Sequence, residues 1–215
     1  MAIQLYGHPF ALFVWKALIA AYERAVPFEF CMIDAEHRAN AARIAELSPT
    51  GQFPALTDGA HEITQSNPVI EYLDRFGTAP PMIPDDVELA LTSRMLADAF
   101  DAYVAEPTQR IVAEALRPRG QQNPRRAEEA KTKLDQSYAW FARHIGSGWG
   151  NGHAFSITDC AAAPALFYAD WAHPIPPGPL KAYRERLLQR PSVARVVDEA
   201  RPYRHLFPLG APARD

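Results

Sequence analysis

The sequence predicts an α/β half followed by an all-α half. Three observations lead to that fold class. Up to residue 77, short strand-like and helical runs alternate in the order β-α-β-α-β-β-α. Residues 78–86 then form a linker with three prolines and no helical pattern. From residue 87 to residue 215 every periodic stretch reads as helix.

In chain order, residues 2–6 make a short strand, with Ile3 and Leu5 alternating with Gln4, and Gly7-His8-Pro9 breaks it. A helix over residues 10–24 carries Phe10, Phe13, Val14, Ala17, Leu18 and Ala21 on one face. A second strand spans residues 26–33, and an alanine- and arginine-rich helix over 37–47 stops at Ser48-Pro49. Strands at 55–57 and 62–63 are joined by Asp58-Gly59, a dipeptide inclined to turn. A further helix starts near Ser66, with Pro68 close behind and the apolar run Val69, Ile70, Leu73.

Beyond the linker, residues 87–115 read as one long amphipathic helix with Leu91, Met95, Leu96, Phe100 and Tyr103. Its expected bend is at Glu106-Pro107, because proline removes a helix hydrogen bond. A second long helix carries Leu134, Tyr138, Phe141 and Ile145 on one face and gives way to a glycine-rich turn at 146–152. Ser156 and Asp159 have the S-x-x-D spacing of a capping box, with Phe155 and Cys160 at the two staple positions. Helices over 180–189 and 192–200, separated by Arg190-Pro191, complete the chain.

Composition excludes several function classes. The chain is 48% hydrophobic with a formal net charge of −3, so it can bury a sizeable core and shows no charge signature of a nucleic-acid partner. Cys31 and Cys160 form no CxxC, which favours a reducing, cytoplasmic compartment over a disulfide framework. The apolar stretch 10–22 contains Lys16 and has no basic segment before it, so it reads as neither signal peptide nor membrane span. None of the seven histidines pairs with another at i, i+4, and no metal site is expected. Glycines form neither a phosphate loop nor a dinucleotide fingerprint.

The stretch Gly51-Gln52-Phe53-Pro54-Ala55-Leu56, followed by Gln65-Ser66 at a helix start, closely resembles the glutathione-binding half of cytosolic glutathione transferases of the bacterial type. The S-x-x-D cap before an alanine-rich helix matches the folding signal of their buried central helix, so the resemblance covers the whole chain. It implies a thioredoxin-like N-terminal domain over 1–77, in which a cis-proline stands beside the first helix, and a C-terminal helical bundle domain over 87–215. It also implies glutathione as co-substrate and a homodimer.

By the same resemblance, Gln65 and Ser66 hold the γ-glutamyl end of glutathione, Phe53 offers backbone groups to the cysteinyl part beside Pro54, and Gln52 reaches the glycyl end. The thiol must be activated. A cysteine thiol titrates near about 8.5, so a mostly ionised thiol at neutral pH needs a shift of about two units, roughly 3 kcal/mol. Relatives of this type place serine or cysteine near the start of the first helix, where this chain has Ala11 and Leu12. Tyr6 and His8 are the candidate catalytic groups, and the first helix's own N–H groups are the third possibility. A pocket for a small hydrophobic electrophile is expected from Phe10, Leu12, Phe13, Phe100, Tyr103, Phe167 and Trp171. The expected activity is glutathione conjugation. A glutathione-dependent isomerase, dehalogenase or peroxidase is the near variant, and a non-catalytic ligand-binding or protein-docking module of the same fold is the rival.

Overall fold

Four short strands organise the first half. The computed structural model describes residues 2–145, 147–152 and 154–215. β1 (Gln4–Gly7) pairs in parallel with β2 (Glu29–Met32) and antiparallel with β3 (Ala55–Asp58), which pairs antiparallel with β4 (His61–Thr64). The resulting order is β2-β1-β3-β4. Both β1 and β2 are shorter or shifted relative to expectation. Pro27 supplies no N–H, so β2 pairs only from Glu29. Alternation sends Leu5 to one face of the sheet and Tyr6 to the other, where Tyr6 packs with Cys31, Ile44 and Ala55.

α1 (Leu12–Glu23) begins two residues later than expected, because the preceding turn is closed by its own bonds. Phe10 N donates to His8 Nδ1 at 3.1 Å, and Trp15 Nε1 donates to Pro9 O at 2.6 Å. The single apolar face expected of this helix is replaced by burial all round, from Val14 through Ala21. The reason is position: α1 lies between the sheet and α7 (Ile157–Ala172), so every side meets protein. α2 (Arg38–Leu47) covers the other sheet face through Ile44. α3 (Ser66–Leu73) packs on α1, and Arg24 ties off the end of this half by donating to the carbonyls of Asp74, Phe76 and Gly77.

The helical half opens with α4 (Val87–Phe100), capped by the Asp86 carboxylate on Leu89 N at 2.8 Å. The expected single helix over 87–115 is instead two helices joined by a π turn, Asp101–Ala105, with α5 (Glu106–Leu116) beyond it. Glu106 N bonds to Asp101 O, a wider loop than the α pattern, one residue before Pro107. The widened turn takes up the missing proline N–H without a sharp kink. α6 (Pro124–His144) returns antiparallel to α5. The turn that follows can be described only from Ser147, since Gly146 lies outside the described residues.

α7 is the buried axis of this half. Its capping box forms as spaced in the sequence: Ser156 N donates to Asp159 Oδ2 at 2.9 Å, and Ser156 Oγ accepts from Thr158 N at 3.3 Å. Asp159 also accepts from Gly150 N at 2.8 Å and Tyr183 Oη at 2.6 Å, so this fully buried carboxylate is well satisfied. Gly150 has to be glycine, because a Cβ there would stand 2.3 Å from Thr158 Cγ2. α8 (Pro179–Leu188), α9 (Pro191–Ala200) and a 3₁₀ turn, Arg201–Leu206, close the fold. Among the described residues no helix is long and apolar enough to cross a membrane.

Candidate functional site

Two loop-to-helix junctions and one loop-to-strand junction meet the α4–α5 wall in one cleft of about 800 Å³. From the sheet half come Ala11, Leu12 and Phe13 at the start of α1, Gly51 to Pro54 before β3, and Gln65 to Pro68 at the start of α3. From the helical half come Asp98, Asp101 and Gln109.

Each junction leaves backbone groups free. The Phe53–Pro54 peptide is cis, and Phe53, outside the strand ladder, has no partner for its N–H or C=O among the described residues. Gln65 takes a left-handed conformation, φ 70° and ψ 139°, and caps α3, so Ser66 is the first helical residue rather than the cap. The first bond of that helix runs from Val69 N to Gln65 O. The amides of Ser66 and Asn67 and the Ser66 hydroxyl are therefore unpartnered among the described residues. α1 behaves alike: its first bonds are Val14 N and Trp15 N to Ala11 O, which leaves the amides of Leu12 and Phe13 without partners among the described residues. Neither helix has an acidic residue in its first turn, so nothing within the helix offsets the positive end of either dipole.

The expected catalytic side chains lie elsewhere. Tyr6 belongs to the cluster under α2, and its hydroxyl donates to Gln4 Oε1 at 3.0 Å. Strand alternation is the cause, and Tyr6 takes no part in lining the cleft. His8 is spent on the turn into α1 and meets Tyr203 edge-on at 4.7 Å, and it too is absent from the cleft walls. Burial pushes its pKa down against a smaller upward pull from Asp34, which suits a neutral acceptor of the Phe10 amide.

Most of the expected apolar pocket also belongs to the core. Leu12 and Phe13 line the cleft, but Phe10 packs on Tyr168 and Trp171 at 5.3 and 6.4 Å. Phe167 and Trp171 meet each other at 4.6 Å within the same buried aromatic group. Phe100 is fully buried and stacks on Phe141 at 3.9 Å, and Tyr103 is exposed on another face beside Trp140. The helix period decides this, because the stripe holding Leu96 and Phe100 turns inward and Asp98 and Asp101 reach the cleft.

Asn67, Asp98, Asp101 and Gln109 belong to no sequence motif, and Lys16 stands out in the sequence only as a charge inside an apolar run. Lys16, fully buried on α1, forms an ion pair with Asp101. Asn67 Nδ2 donates to Asp98 Oδ1 at 2.7 Å. That lone lysine is the sequence signal of the ion pair with Asp101. Among the described residues, no group of three or more His, Cys, Asp and Glu could hold a metal ion.

Comparison with known proteins decides the family. The family model of the glutathione S-transferase N-terminal domain matches residues 5–81, and that of the C-terminal domain matches residues 123–198. The chain belongs to the glutathione S-transferase family. It is 36% identical over 75 residues to a glutathione S-transferase of Silene vulgaris, a match that spans only 34% of each protein. It is 23% identical over 205 residues to a stringent starvation protein A homolog of Coxiella burnetii, covering 91% of both. Among solved structures, a glutathione S-transferase of Methylobacillus flagellatus with GSH bound superposes with a TM-score of 0.79 at 21% identity. That match covers 91% of this chain and 98% of the other. The family fold is thus a thioredoxin-like domain followed by a helical one.

Proposed function

We propose that this transferase-family chain binds glutathione in the cleft and adds its thiolate to a small electrophile. One observation carries the reading: the unpartnered amides of two helix N-termini and the free backbone groups of Phe53 all border one cavity. The γ-glutamyl carboxylate sits on the Ser66 and Asn67 amides and the Ser66 hydroxyl, beside Gln65. Phe53 pairs with the cysteinyl backbone as an added strand would, and Gln52 reaches the glycyl end.

The thiol then lies at the start of α1, where no side chain carries a hydroxyl or thiol. Activation comes from the Leu12 and Phe13 amides and the helix dipole. Two hydrogen bonds to a thiolate, each contributing about 1.5 kcal/mol, account for the roughly 3 kcal/mol required. The thiol proton leaves to solvent and the sulfur lone pair forms a C–S bond. The displaced electron pair departs with the leaving group or, in a conjugate addition, is quenched by a solvent proton.

A homodimer is part of this reading, supported by the exposed Val87, Leu91 and Met95 at i, i+4, i+8 on α4. The buried free cysteines Cys31 and Cys160 support a reducing, cytoplasmic location. The proposed division into a glutathione-binding domain over 1–77 and a helical domain from 87 follows the proline-rich linker.

A second reading is favoured by Ala11 and Leu12 together with the near full-length similarity to a stringent starvation protein A homolog. It makes the chain a binding protein that holds glutathione without activating it. Calorimetry with glutathione, with Ser66→Ala as control, tests the site: binding in the wild type weakened about tenfold or more in the variant supports it. No binding by the wild type contradicts both readings.

A further inference from the structure

Phe10, Phe167 and Trp171, expected to line an electrophile pocket, stand together with Tyr168 in one aromatic group. Phe207 closes that group, its ring meeting Trp171 edge-on at 5.2 Å and Tyr168 at 6.3 Å. Phe10 directly precedes Ala11, which lines the cleft, so the closed group borders the place proposed for the thiol. Phe207 begins a strap, residues 207–215, that has neither helix nor strand and follows the 3₁₀ turn Arg201–Leu206. Between 201 and 215 Phe207 alone is buried; Pro208 and Leu209 lie over the α5–α6 corner and stay exposed, and Ala211 is half-buried. Most polar bonds of the strap are local. Arg204 donates to Pro212 O and Arg214 O, and Arg201 and Arg204 both hold Asp215. The polar hold on the helices is Arg214, which donates to the Asp170 carboxylate and, at 3.1 Å, to Asp170 O. Asp170 keeps its other donors without the strap: Lys181 Nζ at 2.8 and 2.7 Å and Ile175 N at 2.8 Å. A segment with one buried side chain and one ionic tether opens at far lower cost than the core beneath it.

We propose that the 207–215 strap is a lid on the electrophile pocket, with Phe207 as its plug and Arg214 as its latch. The strap swings on the Arg201–Leu206 turn, which buries none of its own residues. Phe207 then leaves, and an aryl group on the glutathione sulfur takes its place against Phe10, Tyr168 and Trp171. The inference rests on the transferase reading and assigns how that site admits a bulky electrophile. Plug and aryl group make the same edge and face contacts, so one replaces the other with little loss. A small electrophile reaches the thiolate along Leu12 and Phe13 with the strap closed. A ligand that needs the space of Phe207 binds the open form alone and shifts the population toward it.

The test compares S-methylglutathione with S-(1-naphthylmethyl)glutathione, thioethers that share the tripeptide and need no thiol activation. Calorimetry gives their affinities. Hydrogen exchange read by mass spectrometry follows the amides of Phe207 and Gly210, which are bonded to Arg204 O and Phe207 O. Saturation with the naphthylmethyl analogue should speed exchange at these two amides about tenfold, and S-methylglutathione should leave it unchanged. Phe207→Ala should raise the preference for the naphthylmethyl over the methyl analogue about tenfold. Because that change empties a buried position and can unfold the chain, Arg214→Ala provides an independent variant. It keeps the plug, removes the latch at an exposed residue, and should speed the same exchange in the free protein. A naphthylmethyl analogue that binds with exchange unchanged or slowed overturns the proposal, as does one that fails to bind where S-methylglutathione binds. A preference that folded Phe207→Ala does not raise, or exchange that Arg214→Ala does not speed, overturns it as well. Failure of the wild type to bind either glutathione or S-methylglutathione defeats the transferase reading, and this inference with it. Binding of both beside a strap that stays closed defeats this inference alone.

Discussion

Lys16 of α1 and Asp101 of the π turn form an ion pair across the two halves of the chain, with the lysine fully buried and the carboxylate partly open to the cleft. Burial pushes the Lys16 pKa down and the Asp101 pKa up, and in each case the partner's charge pulls it back. The pair therefore links the packing of the two halves to the wall of the site.

Removing one member should be worse than removing both. Lys16→Met or Asp101→Asn alone leaves a buried group unpaired and should cost about 3–5 kcal/mol, and the double change should recover most of that loss. Denaturant unfolding of the four proteins of the cycle measures the coupling. Additive losses would mean that the pair is not a unit.

The α7 cap offers a stability prediction. Ser156→Ala removes one capping acceptor and should cost about 1 kcal/mol. Asp159→Ala strands the donors of Gly150, Ser156 and Tyr183 and should cost more, about 3 kcal/mol or above. Gly150→Ala should be severely destabilising by overpacking against Thr158. Melting temperatures rank the three, and a Ser156→Ala loss as large as that of Asp159→Ala would contradict the ranking.

The cap was legible in the sequence because it is local: four residues contain both the acceptor and its partner. The succession of strands and helices along the chain and the helical second half were legible for a related reason, since period and turn residues carry them. The cleft wall was not. Leu96 and Phe100 show that a helix has an apolar face, but periodicity does not say whether that face lines a pocket or fills a core. The π turn was not legible, because Pro107 marks a disturbance without showing that its accommodation spreads back to Asp101. Tyr6 reads as a site candidate because alternation puts it opposite Leu5 without telling which face of the sheet borders the cleft.

A pH dependence follows from Glu23. Burial raises its pKa, but hydrogen bonds from Arg190 and Ser192 outweigh that and hold it below its ordinary 4.5. A carboxyl whose pKa is depressed on folding adds stability above its unfolded value, and that stability is lost as pH falls through the folded one. Wild-type stability should therefore decline as the pH drops below about 4.5, more steeply than in Glu23→Gln. Parallel declines in the two proteins would remove Glu23 from the account.

Side chains expected from sequence to activate the thiol should be dispensable. Tyr6→Phe loses the bond to Gln4 and the hydroxyl's contact with Cys31, and His8→Ala the turn contacts to Phe10 and Tyr203. Both should keep the glutathione thiol pKa of the wild-type complex, read from thiolate absorbance during a pH titration. A rise of a unit or more in Tyr6→Phe would restore the tyrosine to the mechanism.

In the proposed mechanism backbone amides at the start of α1 activate the thiol, and Leu12→Pro removes one of them. Leu12 is the first helical residue and Ala11 before it is extended, at φ −96° and ψ 123°, so proline fits there while deleting one N–H. Thiolate absorbance of bound glutathione should show a pKa well below about 8.5 in the wild type and a rise toward that value in Leu12→Pro, with the tripeptide still bound. A wild-type complex with an unshifted thiol, or a shift that survives the proline, would contradict the account.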